Sequence, residues 1–455
     1  MATDKAFDYI DQNKERFLEE LNEFLRFPSI SAQSDHNKDV LACGGWLKDH
    51  LANLGLEAGI IETEGKPIVW ARGRGRSSKK VIFYGHYDVQ PVDPLEEWRT
   101  PPFEPTVKDG YIYGRGTTDD KGQFFAHVKA VESLLKAEGE LPCEVLFLVE
   151  GEEESNGEAL ADYIKENKVE LASRAVGVVV SDSSMYDERT PAITYALRGV
   201  VPLEVTVKGP SCDLHSGQYG GAIGNPAIAL AHIISECVGI DGKVKIKGFY
   251  DDVRKLEDWE RENVKKLNYQ DSSLKNQVGV KNLFGEKEFA TLERLWARPT
   301  FEVNGIFGGY MGEGGKTIIP ARATAKITMR LVPNMDLKKT AELAKGHIRA
   351  VCPDFVELEI TGGDAGANAV IFDKNNELIK AGVEALKKGF GSEAVYIGCG
   401  GSIPVTLTFW EELKKPILLM GLGQDSDGAH SPNERFLISS FINGAKASAY
   451  LLNSI

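Results

Sequence analysis

The apolar positions of the chain fall into two textures. Phe7, Ile10, Phe17, Leu21 and Phe24 recur at helical spacing and the pattern stops at Pro28, which predicts a helix over residues 5–27. A second amphipathic helix is expected over 39–54, followed by strand-like runs at 60–62 and 68–71. The run at 81–84, Val-Ile-Phe-Tyr, has the β-branched and aromatic content of a short buried strand. A helix over 122–137, an apolar run at 143–149, a helix near 158–168 and the run 175–180 continue the alternation. Strands without a polar face, separated by helices, indicate an α/β sheet covered on both sides.

From about Val200 the texture changes. Residues 203–208 alternate as a half-exposed strand does. A helix (226–237), a strand (323–332), a helix (337–351) and a strand (355–361) follow, which predicts two helices on one side of a small antiparallel sheet. The charged stretch 240–316 within this region reads as solvated helix and loop. From about 368 the first texture returns, with a helix at 373–388 and a strand at 416–420. The simplest organisation is a discontinuous α/β domain interrupted by a smaller α+β domain.

Composition narrows the function classes. The net charge of −14 disfavours a nucleic-acid partner. The basic patch 72–80 (RGRGRSSKK) is expected to be a solvated hairpin turn. No apolar run approaches the ~18 residues needed to cross a bilayer, so no membrane partner is expected. The six cysteines lie far apart with no CxxC pair, as suits reduced thiols in a cytoplasmic protein.

Chemistry gathers at the predicted strand ends, where ligands of open α/β sheets bind. His86 and Asp88 follow the run 81–84; Asp119 and Asp120 sit among glycines in GRGTTDDKG; Glu153 and Glu154 follow 143–149; Asp182 follows 175–180. A further cluster, DSDGAHS at 425–431, follows the strand at 416–420. Taken singly, each carboxylate is more simply a turn residue or helix cap, and His86 a satisfied buried histidine. Taken together, imidazoles and carboxylates without thiolates form a donor set for a hard or borderline divalent metal. A dinuclear site follows if one carboxylate bridges, and the carboxylates around Glu153 leave one over as a base. His50, His127 and His232 lie on predicted helices and are assigned to packing or surface.

The segments GHYDVQP (85–91), W…PPFEP (98–105), YGRGTTDDKGQ (113–123), EGEEESNG (150–157), LHSGQYGG (214–221), MRLVPNM (329–335), GGSIPVT (400–406) and DGAHSPNE (427–434) carry a resemblance. In order and spacing the chain resembles the dinuclear metallopeptidase family of carnosinase, the cytosolic nonspecific dipeptidase and the Cys-Gly dipeptidases. The resemblance implies a zinc-peptidase-like mixed sheet flanked by helices (1–198 and 368–455), interrupted by a ferredoxin-like α+β lid and dimerisation domain (199–367). It implies two divalent ions, Zn²⁺ or Mn²⁺, bridged by Asp119, one completed by His86 and Asp182 and the other by Glu154 and His430. Asp88 is then expected to hydrogen-bond His86 and fix its tautomer, and Glu153 to act as general base. A cis peptide is implied between Asp119 and Asp120.

By the same resemblance, Arg330 grips the free carboxylate of a small peptide substrate, with Thr317 and Ser402 hydrogen-bonding that end. His215 is expected to reach the active site of the neighbouring subunit in a homodimer and steady the oxyanion. One departure stands out: Thr361-Gly362-Gly363-Asp364 lacks the histidine that many relatives carry before the glycine pair. The expected activity is hydrolysis of dipeptides or very short peptides. Its competitors are hydrolysis of N-acylated amino acids at the same centre and a catalytically silent metal-binding scaffold.

Overall fold

The run at 81–84 is the middle of a longer strand, Gly75–His86, buried from Val81 onward. In the computed structural model, which describes residues 2–155, 157–401 and 403–455, this strand lies inside a nine-stranded mixed sheet. It pairs in parallel with Leu141–Glu150 on one side and Ala175–Val180 on the other. Ile417–Leu419 extends the parallel core beside Ala175–Val180. Ile68–Gly73 pairs antiparallel with Leu141–Glu150, and Glu57–Ile61 forms the adjoining edge.

The parallel strands carry apolar residues towards both faces because helices cover both. Lys121–Glu138 is buried along almost its whole first three and a half turns and packs with Ala2–Leu25 and Ile438–Ser454. Phe83, Phe124 and Phe147 meet beneath it at ring separations of 5.5 and 5.7 Å. Each such buried ring contributes about 1.5–3 kcal/mol by its transfer from water. The helix ends at Gly139, whose left-handed backbone (φ 81°) closes the last turn.

The chain divides into two compact units, one of Met1–Tyr195, Phe372–Ile397 and Val405–Ile455, the other of Ala196–Ile371 and Gly398–Pro404. The second is built on a four-stranded antiparallel sheet in the order Thr300–Gly308, Arg322–Leu331, Gly199–Lys208, Glu357–Gly362. Pro226–Cys237 and Leu337–Val351 pack on it, giving the strand-helix-strand-strand-helix-strand order of a ferredoxin-like fold. Its core is the inward set Val201, Leu203, Val205 and Val207 against Ala325, Ile327 and Met329.

Two local expectations are corrected. The basic patch is no hairpin: Ile68–Gly73 and Gly75–His86 are not neighbours, because Leu141–Glu150 inserts between them. Arg72 and Arg174 there pair with the buried Glu144 at 2.9 and 3.0 Å. The stretch 240–316 is not only helix and loop, since Thr300–Gly308 forms an edge strand with an irregularity between Val303 and Gly305. No disulfide forms among the cysteines of the described residues. No helix among those residues is long and apolar enough to cross a membrane.

Candidate metal centre

His86, Glu154 and Asp182 sit where strands of the first unit end, and Asp119 and His430 stand on loops beside them. His86 is the last residue of Gly75–His86 and is fully buried. Its Nδ1 lies 3.1 Å from the backbone oxygen of Asp88, so the ring donates there and turns Nε2 towards the site. The Asp88 carboxylate lies beside the same nitrogen, with Oδ1 3.4 Å from Nδ1, and its Oδ2 also accepts from the backbone N–H of Glu154 at 3.1 Å. Asp88 thus orients His86 through its carbonyl and Glu154 through its carboxylate.

Asp119 stands in the turn before Lys121–Glu138, and its peptide bond to Asp120 is cis. Its two oxygens face two imidazoles: Oδ1 is 3.0 Å from His86 Nε2, and Oδ2 is 2.9 Å from His430 Nε2. His430 also lies 3.4 Å from Glu154 Oε2. Asp182, just beyond Ala175–Val180, completes a group with His86 and Asp119 whose ligand atoms all lie within 4.8 Å of one another. Asp119, Glu154 and His430 form a second such group, so Asp119 belongs to both. Gln90, to which sequence reasoning gave no role, donates to Glu154 Oε2 at 2.7 Å. Its only signal was its place inside the 85–91 motif.

The electrostatics are those of crowded like charges. Burial pushes Glu153 up to about 8, helped by Asp182, Glu154 and Asp119 against the opposing effect of His86. Burial and Asp119 raise Asp182 to about 7. Against its own burial, Asp119 is held far below the usual carboxylate range by His430 and His86. Hydrogen bonds to Asp119 and Glu154 raise His430 to about 10.

The donor set fits a divalent cation. It offers imidazole nitrogens and carboxylate oxygens, and no thiolate, which suits hard and borderline metals. A buried carboxylate oxygen of Asp120 also has no partner. His86 and His430 are both raised in the cation-free chain and would have to lose a proton to ligate a cation, so affinity should rise with pH. Across pH 6–8 we expect about a tenfold gain per pH unit for each imidazole proton displaced, with Asp182 adding to it only below about pH 7. Calorimetric titration in buffers of different ionisation enthalpy measures both quantities, and a flat pH profile would contradict the assignment.

A third group of potential ligands, Glu20, His50 and Glu132, already holds a cation of the chain's own. The buried ammonium of Lys129 contacts Glu20 and lies 2.9 Å from both Glu132 Oε2 and His50 Nε2. Burial and Lys129 lower His50 to about 4, so it accepts as a neutral ring. His127 is buried between Ser181 and Ser448, 2.7 Å from each hydroxyl, and burial lowers it to about 3. His232 is exposed.

The expected substrate residues belong to the second unit. His215 is exposed and its Nδ1 accepts from Gly217 N at 3.0 Å, which leaves Nε2 to donate. The strand pair Leu214–His215 and Ile318–Ile319 sets it beside exposed Thr317, whose carbonyl accepts from Ser216 N at 3.0 Å. Arg330 is half-buried on Arg322–Leu331, opposite Val200 and Thr300. Ser402 lies outside the described residues. Gly362 and Gly363 both have left-handed backbones (φ 85° and 88°), and a Cβ at Gly362 would sit 2.7 Å from the carbonyl oxygen of Pro202.

Comparison with known proteins agrees with this chemistry. The chain is 34% identical to the Cys-Gly metallodipeptidase dug1 of Schizosaccharomyces pombe, over 98% of this chain and 97% of that protein. It is 30% identical to the human Beta-Ala-His dipeptidase, over 97% of this chain and 90% of that protein. Among solved structures, human carnosine dipeptidase 1 matches with a TM-score of 0.84 at 29% identity, covering 100% of this chain and 98% of the other. The M20 family metallo-carboxypeptidase Sso-CP2 from Sulfolobus solfataricus matches with a TM-score of 0.84 at 35% identity, covering 96% and 98%. The model of one family spans residues 82–454, from the strand that ends in His86 to the helix that follows His430, and on that span the chain belongs to peptidase family M20/M25/M40.

Proposed function

We propose that the chain hydrolyses the peptide bond of dipeptides or very short peptides with the help of two divalent cations, Zn²⁺ or Mn²⁺. The observation that carries this is the Asp119 carboxylate, which presents one oxygen to His86 and the other to His430. Asp119 would serve both cations, with His86 and Asp182 completing one set of ligands and Glu154 and His430 the other. When bound, such a pair supplies Lewis-acid polarisation of a carbonyl and acidifies a water. Glu153 takes the proton of the attacking water and returns it to the leaving amine. Its carboxyl is raised by burial and the neighbouring carboxylates in the cation-free chain, and bound cations would lower it again and leave it ionised, as a base must be. Asp88 and Gln90 keep Glu154 in place, one through its backbone N–H and the other through its carboxylate.

Arg330 receives the substrate's free carboxylate in its planar fork, with Thr317 and Ser402 beside that end. The names of the relatives, a Cys-Gly dipeptidase and a Beta-Ala-His dipeptidase, support a small unblocked peptide as substrate. The dispersed cysteines support a cytoplasmic setting. The test is turnover of the chelator-stripped protein, reconstituted with each metal, on a dipeptide panel that includes Cys-Gly and β-Ala-His, beside N-acyl amino acids. Hydrolysis of N-acyl amino acids alone would overturn the substrate assignment, and no hydrolysis with either metal would overturn the function.

The second unit acts as lid and dimerisation domain in this account, and His215 completes the partner's site. Its exposed apolar residues Ile306, Phe307 and Met311 support an interface there. His215→Ala and Glu153→Ala should each be nearly inactive alone. Mixed and allowed to exchange, they should recover about a quarter of wild-type turnover, because half the dimers are then hybrid with one competent site each. Absence of recovery despite verified exchange would place His215 in its own chain's site.

A further inference from the structure

Glu434 is fully buried, and its carboxylate takes four hydrogen bonds from the stretch that presents Asp119. Oε2 accepts from Arg115 Nη1 at 2.8 Å and from Gly116 N at 2.9 Å. Oε1 accepts from Thr118 N at 2.9 Å and from Asp119 N at 3.2 Å. Its backbone carbonyl accepts from Gly114 N at 3.0 Å. Gly116 between these donors has a left-handed backbone (φ 84°), and a Cβ there would stand 2.7 Å from Val89 Cγ1.

Glu434 also belongs to the loop that carries His430. That loop is closed by Asp427, whose Oδ2 accepts from Gln424 N and whose carbonyl accepts from Arg435 N, both at 2.9 Å. Arg115 extends the link to the loop after His86: Nη2 donates to the Pro91 carbonyl at 3.0 Å, and the guanidinium lies 5.3 Å from the Trp98 ring centre. The carboxylate therefore ties the loop that carries Asp119 to the loop that carries His430, and Arg115 extends the tie to the loop after His86.

We infer that Glu434 is the positioning residue of the metal centre, fixing Asp119 and His430 relative to each other before a cation arrives. A buried carboxylate is tolerated only when its charge is balanced and its lone pairs are used, and here Arg115 and three backbone N–H groups do both. The role needs both oxygens. In Glu434→Gln the NH₂ must face either the Arg115 and Gly116 donors or the Thr118 and Asp119 donors, so one pair is lost whichever way the amide turns. Glu434→Asp keeps the charge but is a methylene short of reaching both pairs.

The inference rests on the proposed ligand roles of Asp119 and His430, and its test separates the two. Metal-free wild type, Glu434→Gln and Glu434→Asp are titrated calorimetrically with Mn²⁺, and their thermal midpoints are measured without metal. Their cobalt(II)-loaded forms are compared by visible absorption, which reports coordination geometry. Because partners that orient metal ligands typically control affinity 10–100-fold, both variants should bind Mn²⁺ at least about tenfold more weakly. They should show an altered cobalt spectrum, and at saturating metal lose kcat with KM changed less than about threefold. Lowered thermal midpoints with wild-type affinity and spectrum would show a purely structural residue and overturn the inference alone. Failure of the wild type itself to bind a cation would overturn the ligand assignment and the inference with it.

Discussion

Glu153→Ala is expected to lower kcat by about 10²–10⁴-fold, the usual worth of a positioned acid–base group, while leaving cation content unchanged. Glu153 opens the short turn Glu153–Ser155 that follows Leu141–Glu150, and it stands outside both candidate ligand groups. Its removal takes away the proton acceptor and none of the proposed ligands. The loss of one nearby carboxyl removes at most a little attraction for a cation, so metal affinity of the variant should equal that of wild type or fall slightly. Elemental analysis after gel filtration, together with steady-state kinetics on a dipeptide, checks both halves. Near-full turnover would remove Glu153 from the base role.

Asp119→Asn is expected to be more damaging still, because it strikes both cations at once. The carboxylate offers one oxygen to each imidazole side, whereas the amide offers one oxygen and one NH₂. The NH₂ can donate to an imidazole nitrogen but cannot ligate a cation. The variant should hold at most one cation per chain, and turnover should fall by at least about 10³-fold, as expected when a metal's electrostatic stabilisation is withdrawn. Asp120, its neighbour, belongs to neither candidate ligand group, and its Oδ2 is taken by the His86 backbone N–H at 3.3 Å, so it is not expected to replace the bridge. Two cations per chain in Asp119→Asn would show that the bridge lies elsewhere.

Much of this arrangement was legible because it rests on short-range pattern. The apolar runs at 81–84, 143–149 and 175–180 marked parallel strands, and polar residues just past them had to gather at one sheet edge. His86, Glu154 and Asp182 come together for that reason, while Asp119 and His430 stand on loops and join the group through what the resemblance implies. What escaped depends on partners distant in sequence. Nothing within 68–86 shows that Leu141–Glu150 will separate its two strands, so the basic patch was taken for a hairpin. Thr300–Gly308 lies at a sheet edge with exposed Glu302, Val303 and Asn304, which blurs the alternation that marks a half-buried strand.

Side-chain partners escaped for the same reason. Glu434 is an ordinary acidic residue in DGAHSPNE until the fold brings the N–H groups of 116, 118 and 119 around it. The family resemblance pairs Asp88 with His86, and only the folded turn shows that the ring donates to the Asp88 carbonyl and that the carboxylate also accepts from the backbone N–H of Glu154. His50 was assigned to packing or surface, and the chain supplies its cationic partner from Lys129, on a different helix.

The central claim, one carboxylate shared by two cations, is tested most directly by anomalous diffraction from crystals grown with Mn²⁺ or Zn²⁺. Two peaks about 3.5–4 Å apart are expected, the spacing of two-metal hydrolytic sites. They should flank Asp119, one against His86 and Asp182 and the other against Glu154 and His430. A single peak, or a pair with Asp119 bound to only one of them, would contradict it.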